Sequence, residues 1–118
     1  MLNRIAVAGV PAQDVVRAVR FYRDVLGLRL SPHQAGPPHL RVGDMFLAVF
    51  QRDMAAVGSL TPLVAFDVDD LDAEMAMLKE RGVVFDGGVR HDDTVRWAMF
   101  HDSEGNLLEL VQFASGPA

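Results

Sequence analysis

The chain has 118 residues, of which half are hydrophobic and 23% charged, so it can bury a full core and intrinsic disorder is excluded. The net charge of −5 is mild and looks spread along the chain without a Lys/Arg cluster, which argues against nucleic acid and anionic membranes as partners. The absence of cysteine excludes disulfides and thiolate chemistry; with no visible signal peptide or membrane span, a cytoplasmic protein is expected.

The first half of the chain predicts a strand, a helix and three further strands. The apolar segment 5–10 is bounded by Gly and Pro and suits a buried strand. Asp14 is a typical helix N-cap, apolar residues follow it at helical spacing, and Gly27 ends the helix. Three short strands then follow, over residues 28–31, 39–42 and 45–51.

The second half repeats this order. A strand is predicted over residues 61–68, Asp70 caps a helix, and Gly82 ends that helix. A tight turn precedes the last strand, and its Gly105 and Asn106 tolerate positive φ. The three strands that complete this half are expected over residues 83–89, 95–101 and 107–113.

One supersecondary unit therefore occurs twice, and the repeat of roughly 55 to 60 residues indicates a duplicated module. The predicted fold class is α+β, with two tandem β-α-β-β-β modules over residues 1–56 and 57–118. Each module should form a curved four-stranded sheet with its helix on the outer face. The copies differ at one position of interest, because Glu109 in the second corresponds to Ala48 in the first.

Four stretches resemble the vicinal oxygen chelate superfamily, which comprises glyoxalases, bleomycin-resistance proteins and extradiol dioxygenases. They are AVRFYRDVLGL, FDVDDLD, LKERGV and FHDSEGNLLEL, at residues 18–28, 66–72, 78–83 and 100–110. The resemblance implies that the paired modules form a mixed-sheet cup around a cavity. Together with the small size and the exposed sheet edges, it also implies a homodimer.

Metal-dependent members of that superfamily place a ligand on the first and fourth strand of each module. The corresponding positions here hold Val7, Ala48, Leu63 and Glu109. Three apolar side chains offer no lone pairs, whereas catalytic zinc and iron sites need about three protein ligands. We expect neither a metal ion nor another cofactor. The alternative is an unusual site, completed across a dimer or built with Glu109 from His39, His91 or His101.

Glu109 is the candidate polar and catalytic residue. Its side chain should share a strand face with Leu107 and Val111. If that face lines the cavity, the pKa of Glu109 rises, and the carboxyl could act as a base or as a hydrogen-bond partner of a ligand. The alternative is an inherited glutamate that forms an ion pair with a nearby arginine.

The remaining candidate contacts are mostly apolar strand residues. By the family mapping Ala48 faces the pocket, so Phe46 and Phe50 should share its face, as Trp97 and Met99 share another. The alternative for the aromatic residues is ordinary core filling. The full set of expected ligand contacts is Val7, His39, Phe46, Ala48, Phe50, Leu63, Trp97, Met99 and Glu109.

Four further polar residues have weaker claims to a site. His101 is expected to bond to the backbone of the turn that follows it, and His91 to lie in a solvated loop. Arg41 and Arg96 lie on predicted strands and could meet an anionic ligand, but solvent-facing positions explain them equally well.

Three functions remain open. The first is a metal-free homodimeric binding protein that holds a largely apolar or aromatic molecule in the inter-module or dimer cavity, similar to the bleomycin-resistance branch. The second is a glyoxalase-type lyase or isomerase, or a dioxygenase, with a relocated metal or with acid–base chemistry at Glu109. The third is an interaction protein whose cavity is filled by side chains. The loss of three ligand positions favours the first.

Overall fold

The computed structural model describes residues 1–31, 36–53 and 62–114. The chain divides into two compact units, Met1–Val57 and Gly58–Ala118, which we call unit 1 and unit 2. Each unit contains one four-stranded sheet and one helical segment.

Unit 1 begins with a strand and a helix and continues with three strands. Its sheet has the order β1-β4-β3-β2, in which β1 runs parallel to β4 and the other pairs are antiparallel. The elements are β1 (Val7–Ala12), α1 (Val15–Arg20), a π-helical turn (Phe21–Val25), β2 (Arg29–Leu30), β3 (His39–Val42) and β4 (Met45–Gln51).

Unit 2 has the same topology. Its sheet has the order β5-β8-β7-β6, again with one parallel pair, β5 and β8. The elements are β5 (Val64–Asp67), α2 (Leu71–Glu80), β6 (Phe85–His91), β7 (Val95–His101) and β8 (Leu107–Phe113). The predicted α+β class with two tandem modules is therefore confirmed.

The helices begin and end at the residues that the sequence indicates. The side-chain oxygens of Asp14 and Asp70 each accept a hydrogen bond from the backbone amide three residues on, at 3.0 and 3.1 Å. Gly27 and Gly82 follow the two helical segments with φ of +76° and +93°, a conformation that glycine adopts without a Cβ clash.

The first helix departs from the regular α-helix that was expected. Its last turn is π-helical, because the amide of Leu26 donates to the carbonyl of Phe21, five residues back, at 3.1 Å. Tyr22 in this turn has no exposed surface, and its ring meets that of Phe21 edge-on, with the centroids 5.5 Å apart. The wider turn thus accompanies a fully buried aromatic side chain.

Two strands lie about two residues later than the sequence suggests. β1 spans residues 7–12 rather than 5–10 and includes Pro11, which an edge strand accepts because its missing N–H is not needed by the ladder. β6 begins at Phe85 rather than at Val83, because the amide of Val83 still bonds to the carbonyl of Leu78 at the end of α2.

Each helix covers one face of its sheet. In unit 2, Gln112 Oε1 accepts a hydrogen bond from the amide of Leu71, the first residue of α2, at 2.8 Å. Alternation along β8 places Leu108 and Leu110 on the same face as Gln112. In unit 1, Gln51 Nε2 donates to the carbonyl of Gln13, just before α1, at 2.7 Å. We call the opposite face of each sheet its helix-free face.

The hydrophobic core of each unit lies between sheet and helix. In unit 1 its fully buried members include Val10, Ala12, Ala18, Tyr22, Leu40, Leu47 and Val49. In unit 2 the corresponding buried residues include Leu71, Met75, Leu78, Ala98, Phe100, Leu108 and Leu110. Within the described residues, neither helix is long and apolar enough to cross a membrane.

The charge of the chain is not spread along it, contrary to the expectation from the sequence. Unit 1 has seven arginines against four aspartates, a net charge of +3. Unit 2 has four Lys/Arg against twelve Asp/Glu, a net charge of −8, and together the units give the total of −5. The two copies of the fold therefore carry opposite charges.

Candidate functional site

The helix-free face of unit 2 carries a row of four residues, one from each strand. Glu109 on β8 lies opposite Ala65 on β5 and Met99 on β7, and Met99 lies opposite Asp86 on β6. Residues that are opposite each other in neighbouring strands project from the same face. Glu109 is therefore placed at the middle of this sheet face rather than at its edge.

Aromatic and polar side chains flank Glu109 on the same face. Trp97 pairs with Val111, two residues after Glu109, and His101 pairs with Leu107, two residues before it. The glutamate thus has apolar neighbours along its own strand, with Trp97 and His101 in diagonal positions on the next one.

The carboxyl group of Glu109 is half-buried, and this burial raises its pKa above the usual value for a glutamate. It makes no hydrogen bond or ion pair with any side chain of the described residues, so the ion pair with an arginine that the sequence left open is not found there. A partly desolvated acceptor without a partner is suited to meet a donor group on a ligand.

His101 binds a side chain rather than the backbone of the following turn, where the sequence placed its partner. Its Nδ1 lies 3.2 Å from Asp86 Oδ2. Asp86 pairs with Met99, two residues before His101 on β7, so the two side chains are diagonal neighbours on one sheet face. Both side chains remain about half-exposed.

Buried polar groups hold the turn that leads into β8. Asp102 Oδ1 accepts hydrogen bonds from the amides of Glu104 and Asn106 at 2.8 and 2.9 Å. Asp102 Oδ2 accepts another from Asn106 Nδ2 at 2.8 Å. Gly105 takes the positive φ of +85°, whereas Asn106, expected to share this property, does not and is fully buried instead. The turn fixes the start of the strand that carries Glu109.

The helix-free face of unit 1 is organised around Ala48. This residue lies opposite Gly9 on β1 and His39 on β3, and it has no exposed surface. Phe46 and Phe50 flank it on the same strand face and are half-buried. A Cβ built on Gly9 would lie 2.8 Å from Phe50 Cε2, so the phenyl ring covers the glycine. The position that corresponds to Glu109 is closed.

The four positions that hold metal ligands in related proteins do not form a donor set here. Val7 and Leu63 are 46% and 49% exposed, while Ala48 is buried. These three side chains supply no lone pair, and Glu109 alone is one carboxylate, so the residues do not fit the divalent ion that the fold suggests. Among the described residues there is no group of three or more His, Asp or Glu arranged to hold a metal ion.

A cavity of about 410 Å³ lies at the end of the β6–β7 hairpin of unit 2. His91 lines it and ends β6, rather than lying in a loop as expected from the sequence. Two of the charged groups at this cavity, Arg96 and Asp92, are already engaged within the protein. Arg96 forms two hydrogen bonds with Asp72, and Asp92 accepts three from Thr94 and Val95, which lowers the pKa of Asp92. We therefore regard this cavity as structural.

Two residues of the helix-free faces were missed by the sequence analysis. Asp86 is the diagonal neighbour of His101 across the β6–β7 pair, and only the register of these two strands reveals it. Arg29 lies directly opposite Arg41 in the β2–β3 ladder, a pairing that only the register reveals.

Comparison with known proteins places these observations in a family. A model of the Glyoxalase/Bleomycin resistance protein/Dioxygenase superfamily matches residues 2–110. The chain is similar to the crystal structure of TnmS3, an antibiotic binding protein from Streptomyces sp. CB03234, with 28% identity, a TM-score of 0.80 and coverage of 96% of this chain and 98% of that one. No match was found among curated proteins.

Two further solved structures share the fold. Lactoylglutathione lyase from Agrobacterium tumefaciens is 20% identical, with a TM-score of 0.76 and coverage of 94% of each chain. The fosfomycin resistance protein FosX from Mesorhizobium loti is 21% identical, with a TM-score of 0.75 and coverage of 95% of this chain and 93% of that one. At these identities the likeness concerns the fold alone.

Proposed function

The chain belongs to the Glyoxalase/Bleomycin resistance protein/Dioxygenase superfamily, and we propose that it is a binding protein within it. It would hold a small, largely apolar or aromatic molecule without a metal ion. The observation that carries the proposal is Glu109, a half-buried carboxyl group that lies opposite Met99 and diagonal to Trp97. The 28% identity to an antibiotic binding protein over nearly the whole chain supports the same class of function.

The composition of the helix-free face of unit 2 indicates the chemistry of the ligand. Trp97, Met99 and Val111 offer apolar contact area. Small-molecule sites are usually lined by apolar and aromatic side chains of this kind, together with a few fixed polar groups. A half-buried carboxyl group without a partner costs free energy until it meets a donor. The expected ligand has an aromatic body and an amine, amide or hydroxyl group beside it.

Binding without a metal follows from the donors that are present. The three other positions of the family's ligand set are occupied by Val7, Ala48 and Leu63, and a divalent ion bound by Glu109 alone would keep most of its water. Affinity would then come from apolar contact, and the carboxylate would set the orientation of the ligand.

A titration with an aromatic amine tests this proposal. Trp97 is the single tryptophan of the chain, so its indole N–H gives one assignable NMR resonance on the same sheet face as Glu109. Naphthylmethylamine added to chelator-treated protein is expected to shift that resonance. Glu109→Gln should weaken binding by about tenfold, the loss expected for a charge-assisted hydrogen bond. The control is Glu80→Gln, at the exposed end of α2.

We also propose that the protein is a homodimer. Each sheet has a first strand that pairs on one side only, β1 in unit 1 and β5 in unit 2. Val7 on β1 and Leu63 beside β5 expose about half of their apolar surface. Exposed edges and apolar side chains of this kind are usually covered by a partner. Light scattering should give twice the chain mass of 12.9 kDa, and a monomer at micromolar concentration would contradict the proposal.

A second candidate function is acid–base catalysis at the same face, favoured by the contact between His101 and Asp86. A carboxylate at Nδ1 holds the imidazole with Nε2 available to take a proton, and Glu109 is a second proton carrier nearby. Such an enzyme would exchange the protons α to the carbonyl of an aromatic methyl ketone with deuterium from the solvent. Exchange catalysed by the protein and abolished by His101→Gln would favour it over binding alone.

A further inference from the structure

Two arginines face each other on the helix-free face of unit 1. Arg29 on β2 is the register partner of Arg41 on β3, so both side chains project from the same face, and both are exposed. Like charges directly opposite each other in a β-ladder repel and destabilise the pairing. The arginine pair therefore lowers the stability of the β2–β3 ladder unless an anion lies between the two guanidinium groups.

In the described part of unit 1, no acidic group compensates for the repulsion. Among the described residues neither guanidinium group has an ion pair or a side-chain hydrogen bond, in contrast to Arg23 and Arg96, which are each held by an aspartate. The strand residues on this face include no aspartate or glutamate. The arginine pair therefore lies within a unit of net charge +3, with its donors directed to solvent.

An aromatic surface borders the arginine pair. Arg41 Cζ lies 5.3 Å from the centre of the Phe46 ring, and Phe46 is the register partner of Arg41. The imidazole of His39 packs edge-on against the same Phe46 ring, with the ring centroids 6.0 Å apart and an interplanar angle of 79°. Phe46 therefore offers apolar contact area immediately beside Arg41, and Arg29 follows in the same row one strand further on.

We propose that Arg29, Arg41 and Phe46 form a binding site for an aromatic carboxylate. The carboxylate would accept hydrogen bonds from the two guanidinium groups, which removes their mutual repulsion, while the aromatic body packs against Phe46. The site extends the proposed function, since it rests on the protein's binding small molecules but uses unit 1 and selects the opposite ligand charge from Glu109.

The test measures the affinity of naphthoate by calorimetry at low salt. Arg41→Gln is expected to weaken naphthoate binding by about tenfold, and Arg29→Gln by a similar factor. Naphthamide, which has the same shape without the charge, should bind at least about tenfold more weakly than naphthoate to the wild type. The matched control is Arg20→Gln, which removes an exposed arginine of α1 from the same unit and should leave naphthoate affinity unchanged.

The two proposed sites are separated by crossing the ligands with the variants. Arg41→Gln should weaken naphthoate and spare naphthylmethylamine, whereas Glu109→Gln should do the reverse. If naphthylmethylamine does not bind through Glu109 while naphthoate binds through the arginines, only the proposed function is overturned. Equal weakening of naphthoate by Arg20→Gln, or equal affinities for naphthoate and naphthamide, would overturn the arginine site. The site would also be overturned if Arg29→Gln or Arg41→Gln dissociated a dimer yet left naphthoate affinity unchanged. The arginines would then bind an acidic surface of a second copy of the chain.

Discussion

Units 1 and 2 have one topology and two different surfaces. Both sheets place a parallel edge strand beside the last strand, and both tie that last strand to the helix by a glutamine, Gln51 or Gln112. Their net charges are nevertheless +3 and −8. The duplicated framework thus depends on positions between sheet and helix, while the opposite face is free to diverge.

The divergence is sharpest at one pair of equivalent positions. In unit 1 Ala48 is fully buried beneath its aromatic neighbours, and the polar groups of the face are the cations Arg29 and Arg41. In unit 2 Glu109 is half-buried, with a raised pKa, beside Trp97. One unit offers donors to an anion, and the other offers an acceptor to a donor group.

Introducing a carboxylate at the position of unit 1 that corresponds to Glu109 should have the largest effect. Ala48→Glu would place an ionisable group where no surface is exposed, and we expect a loss of about 4 kcal/mol or more in the free energy of unfolding. The matched control is Ala65→Glu, because Ala65 is exposed beside Glu109 and should cost less than about 1 kcal/mol. Urea unfolding measures both. Equal stabilities would mean that the unit 1 face is open after all.

The turns before the last strands of the two units should differ next most strongly. Asp102→Ala removes the acceptor of three hydrogen bonds at a buried site and should lower the free energy of unfolding by about 3 kcal/mol. Asp44 lies in the corresponding two-residue turn of unit 1 and is exposed, so Asp44→Ala should change little. Thermal unfolding of both variants checks the difference. Similar losses of stability in the two variants would show that the hydrogen bonds of Asp102 do not stabilise unit 2 more than the exposed turn stabilises unit 1.

A glycine substitution tests how tightly the unit 1 face is packed. Gly9→Ala brings a Cβ within 2.8 Å of the Phe50 ring, which must then turn aside, and a loss of about 1 kcal/mol is expected. Gly88→Ala is the control in unit 2, because a Cβ there would meet no atom within 4 Å. A crystal structure or the ring resonances of Phe50 would show the displacement. An unmoved ring with unchanged stability would contradict the close packing.

The smallest expected effect is the pH dependence due to Glu109. Burial raises its pKa in the folded state, so the folded protein holds this proton more tightly than the unfolded chain does. The resulting stabilisation is complete below the unfolded pKa of about 4.3 and is lost as the pH rises through the folded value. Glu109→Gln removes this slope and should be equally or more stable at neutral pH, by less than about 1 kcal/mol. Destabilisation at neutral pH would indicate a structural ion pair.

The sequence predicts the framework of both units well. The boundaries of β3, β4, β7 and β8 follow directly from apolar stretches separated by turn residues. The caps at Asp14 and Asp70 follow from the preference of aspartate for that position. These features are local, so a single sequence contains what is needed to find them.

The features that were missed depend on register and on tertiary contacts. The His101–Asp86 contact appears only when β6 is aligned with β7, and the arginine pair only when β2 is aligned with β3. The separation of charge was overlooked because the total of −5 averages over two oppositely charged units. The burial of Asn106 likewise arises from its contact with Asp102 rather than from a turn preference.

The central claim is that unit 2 binds a ligand through apolar contact and Glu109, without a metal ion. The most direct measurement is the affinity of naphthylmethylamine before and after removal of divalent metals, for the wild type and for Glu109→Gln. We predict the same affinity with and without metal, and a loss of about tenfold in the variant. Binding that requires added metal, or that Glu109→Gln leaves unchanged, would contradict the claim.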